Sequence, residues 1–204
     1  MDESIKSTLA ESYNNNAQLR EGNNIVSWKE NELLRALDYI NLENNSRFLD
    51  LGAGSGIYGE YFNKQGINVT CIDLSFELVS QCVDRGLHAR LMDFYDLQFE
   101  DNSFDFVWSM NSLLHVPKQS LTKVLEEVHR VLKKDGHFYM GLYGGEDFEG
   151  IYEDDSYEPK RFFSFYTDEA LIESVGELFT VKEFNKIYLE ERQMYFQSMV
   201  LSPL

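Results

Sequence analysis

Cysteine is nearly absent: Cys71 and Cys82 are the two among 204 residues. Two thiols build neither a disulfide framework nor a multi-cysteine zinc site, and both are expected in the core. Basic residues are scarce as well, 18 Lys and Arg against 35 Asp and Glu, for a formal net charge of −17. That balance argues against a main task of gripping DNA or RNA, whose phosphates want a basic footprint, and against docking on an anionic membrane. It leaves a small-molecule substrate of either charge open, because a pocket can differ from its surroundings. No apolar run approaches the ~18 residues that a membrane span needs. Residues 1–16 lack the apolar core of a signal peptide, so a cytoplasmic setting is expected. What is present suffices for a core: 43% of the chain is hydrophobic, with 15 Phe and 12 Tyr. The length fits one compact domain, with no internal repeat and no interdomain linker.

The apolar pattern divides the chain. Residues 4–20 carry Ile5, Leu9, Tyr13, Ala17 and Leu19, a weak amphipathic helix broken by Gly22-Asn23-Asn24. In a second helix Ser27 is expected to cap, with Glu30 closing a capping box and Leu33, Leu34, Leu37 and Ile40 on one face. After Asn44-Asn45 the rhythm changes to alternating elements. Strands are expected at 47–51, 69–73, 89–92, 104–109 and 137–142, with helices after the first two and after Pro117. The last helix has a stripe of Leu121, Val124, Leu125, Val128, Val131 and Leu132, with Lys133 and Lys134 at its C-terminal end and Gly136 after it. Such alternation implies a mostly parallel sheet with helices on both faces. Residues 143–166 break it, with seven acidic and no basic residues between 146 and 158 and a set of aromatics interleaved or adjacent. A helix at 168–175 capped by Thr167 follows, then strands near 179–187 and 193–201 that are expected to pair antiparallel at the sheet edge.

The strongest local signal is Asp50-Leu51-Gly52-Ala53-Gly54-Ser55-Gly56, between a strand and a helix. Glycines let the backbone turn sharply and approach a bound group, and the helix start behind them offers free amides. Residues 54–59 formally match the dinucleotide pattern GxGxxG, yet the tight-turn position belongs to Gly52, from which the third glycine falls one residue early. No Gly-Lys-Ser/Thr follows, so this is not a P-loop. Asp73 ends the second strand, where a carboxylate can accept both hydroxyls of a ribose. Asp93 follows the third strand and could accept an adenine amine. Asp50, Asp73 and Asp93 would then surround one crevice, repelling a pyrophosphate and favouring a sulfonium with an amino-acid tail. This points away from NAD and toward S-adenosyl-L-methionine.

With these residues in place, segment 47–142 resembles the class I S-adenosylmethionine-dependent methyltransferases, small bacterial metabolite-type members in particular. The resemblance runs through the glycine turn, Cys71-Ile72-Asp73-Leu74-Ser75, Leu91-Met92-Asp93-Phe94, residues 104–109, Leu113-Leu114-His115-Val116 and residues 128–136. It implies a Rossmann-like α/β fold: a seven-stranded, mostly parallel sheet with helices on both faces and the last strand antiparallel. It also implies S-adenosylmethionine as cofactor and S-adenosyl-L-homocysteine as product. Gly52, Ala53, Gly54 and Gly56 would lie against the cofactor's methionine portion, and Asp50 would orient its amino group through water. Asp73 would hold the ribose, and Asp93 and the Phe94 amide would meet the adenine between Leu74 and Phe76. Met110 and Asn111 would line the floor near the sulfonium, and Tyr13 and Arg20 would close over the carboxylate end. On this reading residues 1–45 cover the active site and residues 46–204 form the methyltransferase domain. The 143–166 connection becomes a substrate lid carrying Tyr157, Arg161, Phe162 and Phe163.

His115 is the candidate general base; the alternative is a residue with no proton-transfer role. Arg161 could pair with a substrate carboxylate or with its acidic neighbours. Asp105 is expected to be structural, as are His88, His129 and His137, and no His/Asp/Glu spacing suggests a metal clasp. In-line displacement at an activated methyl needs alignment and desolvation more than covalent catalysis. No Asp/Asn-Pro-Pro-aromatic motif stands after the fourth strand, where Ser109-Met110-Asn111-Ser112 lies instead, so a small metabolite is the expected acceptor, through O or N. The competing functions are a non-catalytic or partner-dependent S-adenosylmethionine-binding protein and an NAD-dependent oxidoreductase. Neither the acceptor's identity nor a monomer or homodimer follows from the sequence.

Overall fold

Among the described residues three helices come before the first strand, and everything from Arg47 on is built around sheet. The computed structural model describes residues 3–21, 25–40 and 46–204. Helices α1 (Glu3–Asn15), α2 (Ala17–Glu21) and α3 (Ser27–Leu37) come first. Then β1 (Arg47–Leu51), α4 (Ile57–Lys64), β2 (Asn68–Asp73), α5 (Phe76–Asp84), β3 (His88–Leu91) and β4 (Phe104–Met110) alternate. A 3-10 turn at Leu113–His115 leads into α6 (Lys118–Val131) and β5 (Leu132–Gly144). After β6 (Phe148–Ile151) and β7 (Phe162–Phe165) come α7 (Asp168–Val175), β8 (Phe179–Leu189) and β9 (Met194–Pro203).

The main sheet has seven strands in the order β3-β2-β1-β4-β5-β9-β8. The first five are mutually parallel, β9 runs antiparallel to β5, and β8 antiparallel to β9. This is the expected Rossmann-like arrangement. Alternate residues of the central strands face opposite sides. Leu49, Val107, Phe138 and Met140 pack toward α6 and α7, whereas Phe48, Phe106, Trp108 and Tyr139 join Leu33 of α3 and Phe62 of α4. On that second side Trp108 stacks on Tyr139 at 3.9 Å between ring centroids, and Phe48 on Phe106 at 5.4 Å. Because β1 neighbours both β2 and β4, the chain order reverses there, and a crevice opens beyond the C-terminal ends of these strands.

Several local expectations change. The helix expected over 4–20 is two helices, broken at Asn16; Gly22-Asn23-Asn24 and Asn44-Asn45 lie outside the described residues. Ser27 does not cap α3: Val26 holds the N-cap position and no side chain caps the helix. Leu34 is 52% exposed, and the buried place on that face goes to Glu32. Its carboxylate accepts from Arg35 at 2.8 and 2.9 Å, Tyr139 Oη at 2.7 Å and Asn185 at 2.9 Å, so the charge is buried with its hydrogen bonds made. Helix α6 stops at Val131, and Lys133, Lys134 and Gly136 belong to β5 instead. Asp105 holds that strand start by accepting from Lys133 Nζ at 2.6 Å and from the Arg47 amide at 2.9 Å, the structural role expected of it. Cys71 and Cys82 are buried free thiols.

Residues 143–166 are more ordered than their composition suggests. They continue β5 and then form a β6–β7 hairpin, separate from the main sheet. An isolated two-stranded hairpin is marginal in water. Here Phe148 and Tyr152 pack against Phe163 and Phe165, with centroids 5.5–5.7 Å apart, and the cluster continues into the core.

Candidate functional site

The glycine turn crosses the crevice at the β1 end. Gly52 (φ 77°), Gly54 (φ 58°) and Gly56 (φ 80°) all occupy the left-handed region. At Gly52 a side chain is excluded twice over, because a Cβ there would lie 2.3 Å from Ser112 Cβ. Ser112 itself donates to the Leu51 carbonyl at 2.6 Å and contacts Ser109 Oγ at 2.6 Å, tying the end of β4 to the end of β1. The Asp73 carboxylate bridges the turn to the next helix: Oδ2 accepts from the Gly54 amide at 2.8 Å and Oδ1 from the Ser75 amide at 2.9 Å. Each oxygen keeps a lone pair for a further donor. Burial pushes the Asp73 carboxyl above its ordinary range, and the Ser75 and Gly54 amides pull the other way.

A cavity opens over this turn, with about 700 Å³ of empty space counting the part open to solvent. Of the expected cofactor residues, Gly52, Ala53, Gly54, Asp73, Leu74, Asp93, Phe94, Met110, Asn111, Tyr13 and Arg20 line it, with His115 at one end. Three do not reach its wall. Asp50 is 1% exposed and turned toward α4, where burial and the charge of Asp73 push its carboxyl up to about 8 against the Gly59 amide. Gly56 is the N-cap of α4, and a Cβ there would meet Cys82 and Leu87 at 2.9 Å. Phe76 opens α5 and is 63% exposed. Asp93 lies on the wall already engaged: its Oδ1 accepts from the Tyr95 amide at 3.0 Å and its Oδ2 pairs with Lys6.

Lys6, Leu9, Tyr58, Leu78, Tyr95 and Ser112 complete the lining and were not among the expected site residues. Lys6 and Leu9 precede Tyr13 by seven and four residues, two turns and one turn of helix, so a helix that presents Tyr13 presents them too. Tyr58 stands two residues past Gly56, in the first turn of α4. The placement of α1 is held by Asn14, whose Oδ1 accepts from Ser75 Oγ at 2.6 Å and from the Glu77 amide at 3.3 Å.

A second cavity, with about 1000 Å³ of empty space on the same count, adjoins the first. Both include Tyr13, Arg20, Asn111 and His115 in their walls. Tyr157, Arg161 and Phe163 line the second as expected, but Phe162 turns away toward Ile5 and Thr8 of α1 and Ile151. Arg161 is committed internally: Nε and Nη2 donate to the two oxygens of Asp155 at 2.8 and 2.6 Å, and Nη1 donates to Tyr13 Oη at 2.9 Å. Burial works against this cation, and Asp155 and Tyr13 outweigh it. The pairing with acidic neighbours is therefore the observed one.

His115 sits between the two cavities. Its Nδ1 lies 2.7 Å from the Phe162 carbonyl and its Nε2 lies 2.7 Å from Tyr13 Oη. A carbonyl only accepts, so Nδ1 carries the proton and Nε2 accepts from the Tyr13 phenol. Burial drives the imidazole down to about 3, so the ring is neutral at ordinary pH. The Nε2 lone pair that a general base would use is occupied. Burial also raises the Tyr13 phenol, against the pull of the Arg161 and Arg20 guanidiniums.

Asn111 joins the two cavities with a left-handed backbone (φ 57°), a conformation that asparagine tolerates and that gathers at functional sites. Its Oδ1 is buried without a hydrogen-bond partner among the described residues, as is Arg20 Nε. Unmet polar atoms of both kinds, a donor and an acceptor, thus stand where the cavities meet.

A family model described as "Methyltransferase domain" matches residues 49–140. A glycine/sarcosine/dimethylglycine N-methyltransferase of Actinopolyspora halophila is 36% identical over 122 residues, covering 55% of this chain and 21% of that protein. An uncharacterized protein of Methanocaldococcus jannaschii is 28% identical over 175 residues, 83% of this chain and 80% of that one. Among solved structures, the 1,6-didemethyltoxoflavin-N1-methyltransferase of Burkholderia thailandensis, with bound 1,6-didemethyltoxoflavin and S-adenosylhomocysteine, superposes with a TM-score of 0.76. That likeness, at 20% identity over 98% of this chain and 87% of that one, concerns the fold. The chain spans about a fifth of the length of the Actinopolyspora relative.

Proposed function

Since the chain belongs to the class I S-adenosylmethionine-dependent methyltransferase family, we propose that it binds S-adenosylmethionine and methylates an oxygen or nitrogen of a small-molecule acceptor. The observation that carries this reading is the shared wall: Tyr13, Arg20, Asn111 and His115 border both the cavity over the glycine turn and the larger one beneath the hairpin.

The residues present suit the cofactor. Glycines without Cβ atoms leave the backbone of the turn open to a ligand, and the free lone pairs of Asp73 suit the two ribose hydroxyls. Asp93, with Phe94 and Leu74, stands on the adenine side once Lys6 shares it. Arg20, with its unmet Nε, suits the carboxylate of the amino-acid tail. Met110 and Asn111 form the floor where the two cavities meet. When bound, S-adenosylmethionine supplies a methyl group already activated on a sulfonium. The protein's part is then to align the acceptor and exclude water, and no covalent intermediate is required.

Residues 1–45 and 143–166 act in this reading as the two covers of the site. Tyr13 links them, donating to His115 and accepting from Arg161. His115 serves as a positioning residue that holds Tyr13 and the Phe162 carbonyl, in place of the base expected from its position alone. The small amino-acid acceptors in the name of the Actinopolyspora relative support a small acceptor here.

Calorimetric titration with S-adenosylhomocysteine, with NADH in parallel, tests the reading. Micromolar binding of the first and none of the second is the expected result. Binding of NADH alone would restore the oxidoreductase alternative. Binding of S-adenosylhomocysteine, with no methyl transfer to any of a broad set of amines, acids and alcohols, would favour the non-catalytic one.

A further inference from the structure

The second cavity inverts the charge of the molecule that contains it. The chain as a whole carries −17, yet Arg20, Lys29, Arg161 and Arg192 stand in this cavity against Asp154 and Asp155. Asp155 is spent on Arg161, and Asp154 is exposed at the rim. Arg20 faces both cavities, next to Gly54, and suits the cofactor. Lys29 and Arg192 remain, and neither borders the cavity over the glycine turn. Among the described residues they form no ion pair; they rest on aromatic rings instead. Lys29 Nζ lies 5.4 Å from the Trp28 ring centre and 5.8 Å from that of Tyr58, and the Arg192 guanidinium lies 5.0 Å from that of Tyr143. Two cations from distant parts of the chain, one on α3 and one in the β8–β9 turn, thus converge on one cavity without a counter-ion.

We propose that Lys29 and Arg192 form an anion subsite that receives a carboxylate or phosphate group of the acceptor. This deepens the methyltransferase reading and rests on it. The aromatic walls offered by Tyr152, Phe163 and Phe165 suit an apolar or planar body behind that anionic group. The protonation of Lys29 agrees with the geometry. Burial first, then the fields of Arg20 and Arg192, lower its ammonium to about 8. The groups facing it are these two guanidiniums and the rings of Trp28 and Tyr58. An anion placed between the cations would raise it again, so binding near pH 8 should take up a proton.

The test uses the protein saturated with S-adenosylhomocysteine and three probes: benzoate, phenyl phosphate and the neutral benzamide. At least one anionic probe should bind about tenfold or more tightly than benzamide, and the preferred one tells carboxylate from phosphate. Lys29→Gln and Arg192→Gln should each weaken that anion about tenfold and leave the affinity for S-adenosylhomocysteine unchanged. Calorimetry at pH 8 in two buffers of different ionisation enthalpy should show proton uptake with the wild type and its loss with Lys29→Gln. This readout on the wild type stands even if a variant fails to fold. Equal binding of all three probes, or anion binding untouched by both substitutions, would overturn the proposal. So would a fall in S-adenosylhomocysteine affinity in Lys29→Gln, which would assign Lys29 to the cofactor. Absence of S-adenosylhomocysteine binding to the wild type would instead break the methyltransferase reading, and the same probes on the free protein would then judge the subsite separately.

Discussion

The two cavities are built by different means. The one over the glycine turn takes its glycine backbone and two carboxylates from one stretch of chain, where the turn at 52–56, Asp73 and the segment at 93–95 follow successive parallel strands, and adds Lys6, Tyr13, Arg20, Asn111 and His115 from either side. Backbone amides and conformations do much of the work there. The cavity beneath the hairpin takes Tyr13 from α1, Lys29 from α3, Arg161 from the hairpin and Arg192 from the far edge of the sheet. Side chains do the work there, and no two of these are neighbours in sequence. On the proposed reading, the cofactor is held by a local motif and the acceptor by whatever the fold brings together.

Substitutions on each side sharpen that contrast. The largest effect is expected from Gly52→Ala, which combines a left-handed φ with a Cβ 2.3 Å from Ser112 Cβ. A loss of about 3–4 kcal/mol in urea unfolding is expected. Gly54→Ala, at φ 58° but with its nearest neighbour 3.6 Å away, should lose only about 1–2 kcal/mol. Equal losses would mean that the close approach at Gly52 is not real.

On the other side, Asp155→Ala leaves the buried Arg161 cation without its partner and should cost about 3 kcal/mol. Its signature should be regional, with faster amide hydrogen exchange across 152–165 and little change in S-adenosylhomocysteine affinity. A large loss of that affinity would show that the two cavities are not separable.

Asp73→Ala should do the reverse, weakening S-adenosylhomocysteine by about 2–3 kcal/mol in a titration while the hairpin amides stay protected. Unchanged affinity would remove Asp73 from the cofactor site.

The pH dependence of stability probes the junction. The fold keeps His115 neutral, with its imidazole lowered from 6.5 to about 3. The unfolded chain binds the proton first, so stability present above pH 6.5 is lost as pH falls from there toward 3. Between pH 7 and 5 the wild type should lose about 2 kcal/mol more than His115→Gln, which cannot titrate. Matching losses would place the acid sensitivity elsewhere. The smallest effect belongs to Thr167→Ala, which removes the cap of α7 by deleting an acceptor 3.2 Å from the Ala170 amide. It should cost about 1 kcal/mol and leave ligand binding on both sides unchanged.

Much of the molecule was legible beforehand, for identifiable reasons. Strands β1, β2 and β4 announced themselves by apolar runs that end on turn residues, and α6 by its stripe. The misread elements are those where a long-range partner outweighed a local preference. Glu32 took the buried place because Tyr139 and Asn185, more than a hundred residues away, satisfy it, and Leu34 was left outside. Lys133 followed Asp105 into a strand. The aromatics of 143–166 suggested ligand contact, yet much of that ring surface is used to hold the hairpin together.

The sequence by itself determined the layered architecture, the glycine turn and the place of Asp73, because backbone conformation and strand-to-helix alternation are set by residues close together in the chain. Tertiary structure alone decided that Arg161 belongs to Asp155, that Asp50 and Phe76 stand off the cavity wall, that His115 gives its free nitrogen to Tyr13, and that Lys29 meets Arg192. Those outcomes depend on distances between groups that no local pattern relates, and on burial, which sets both the partner a charge finds and whether it stays a charge.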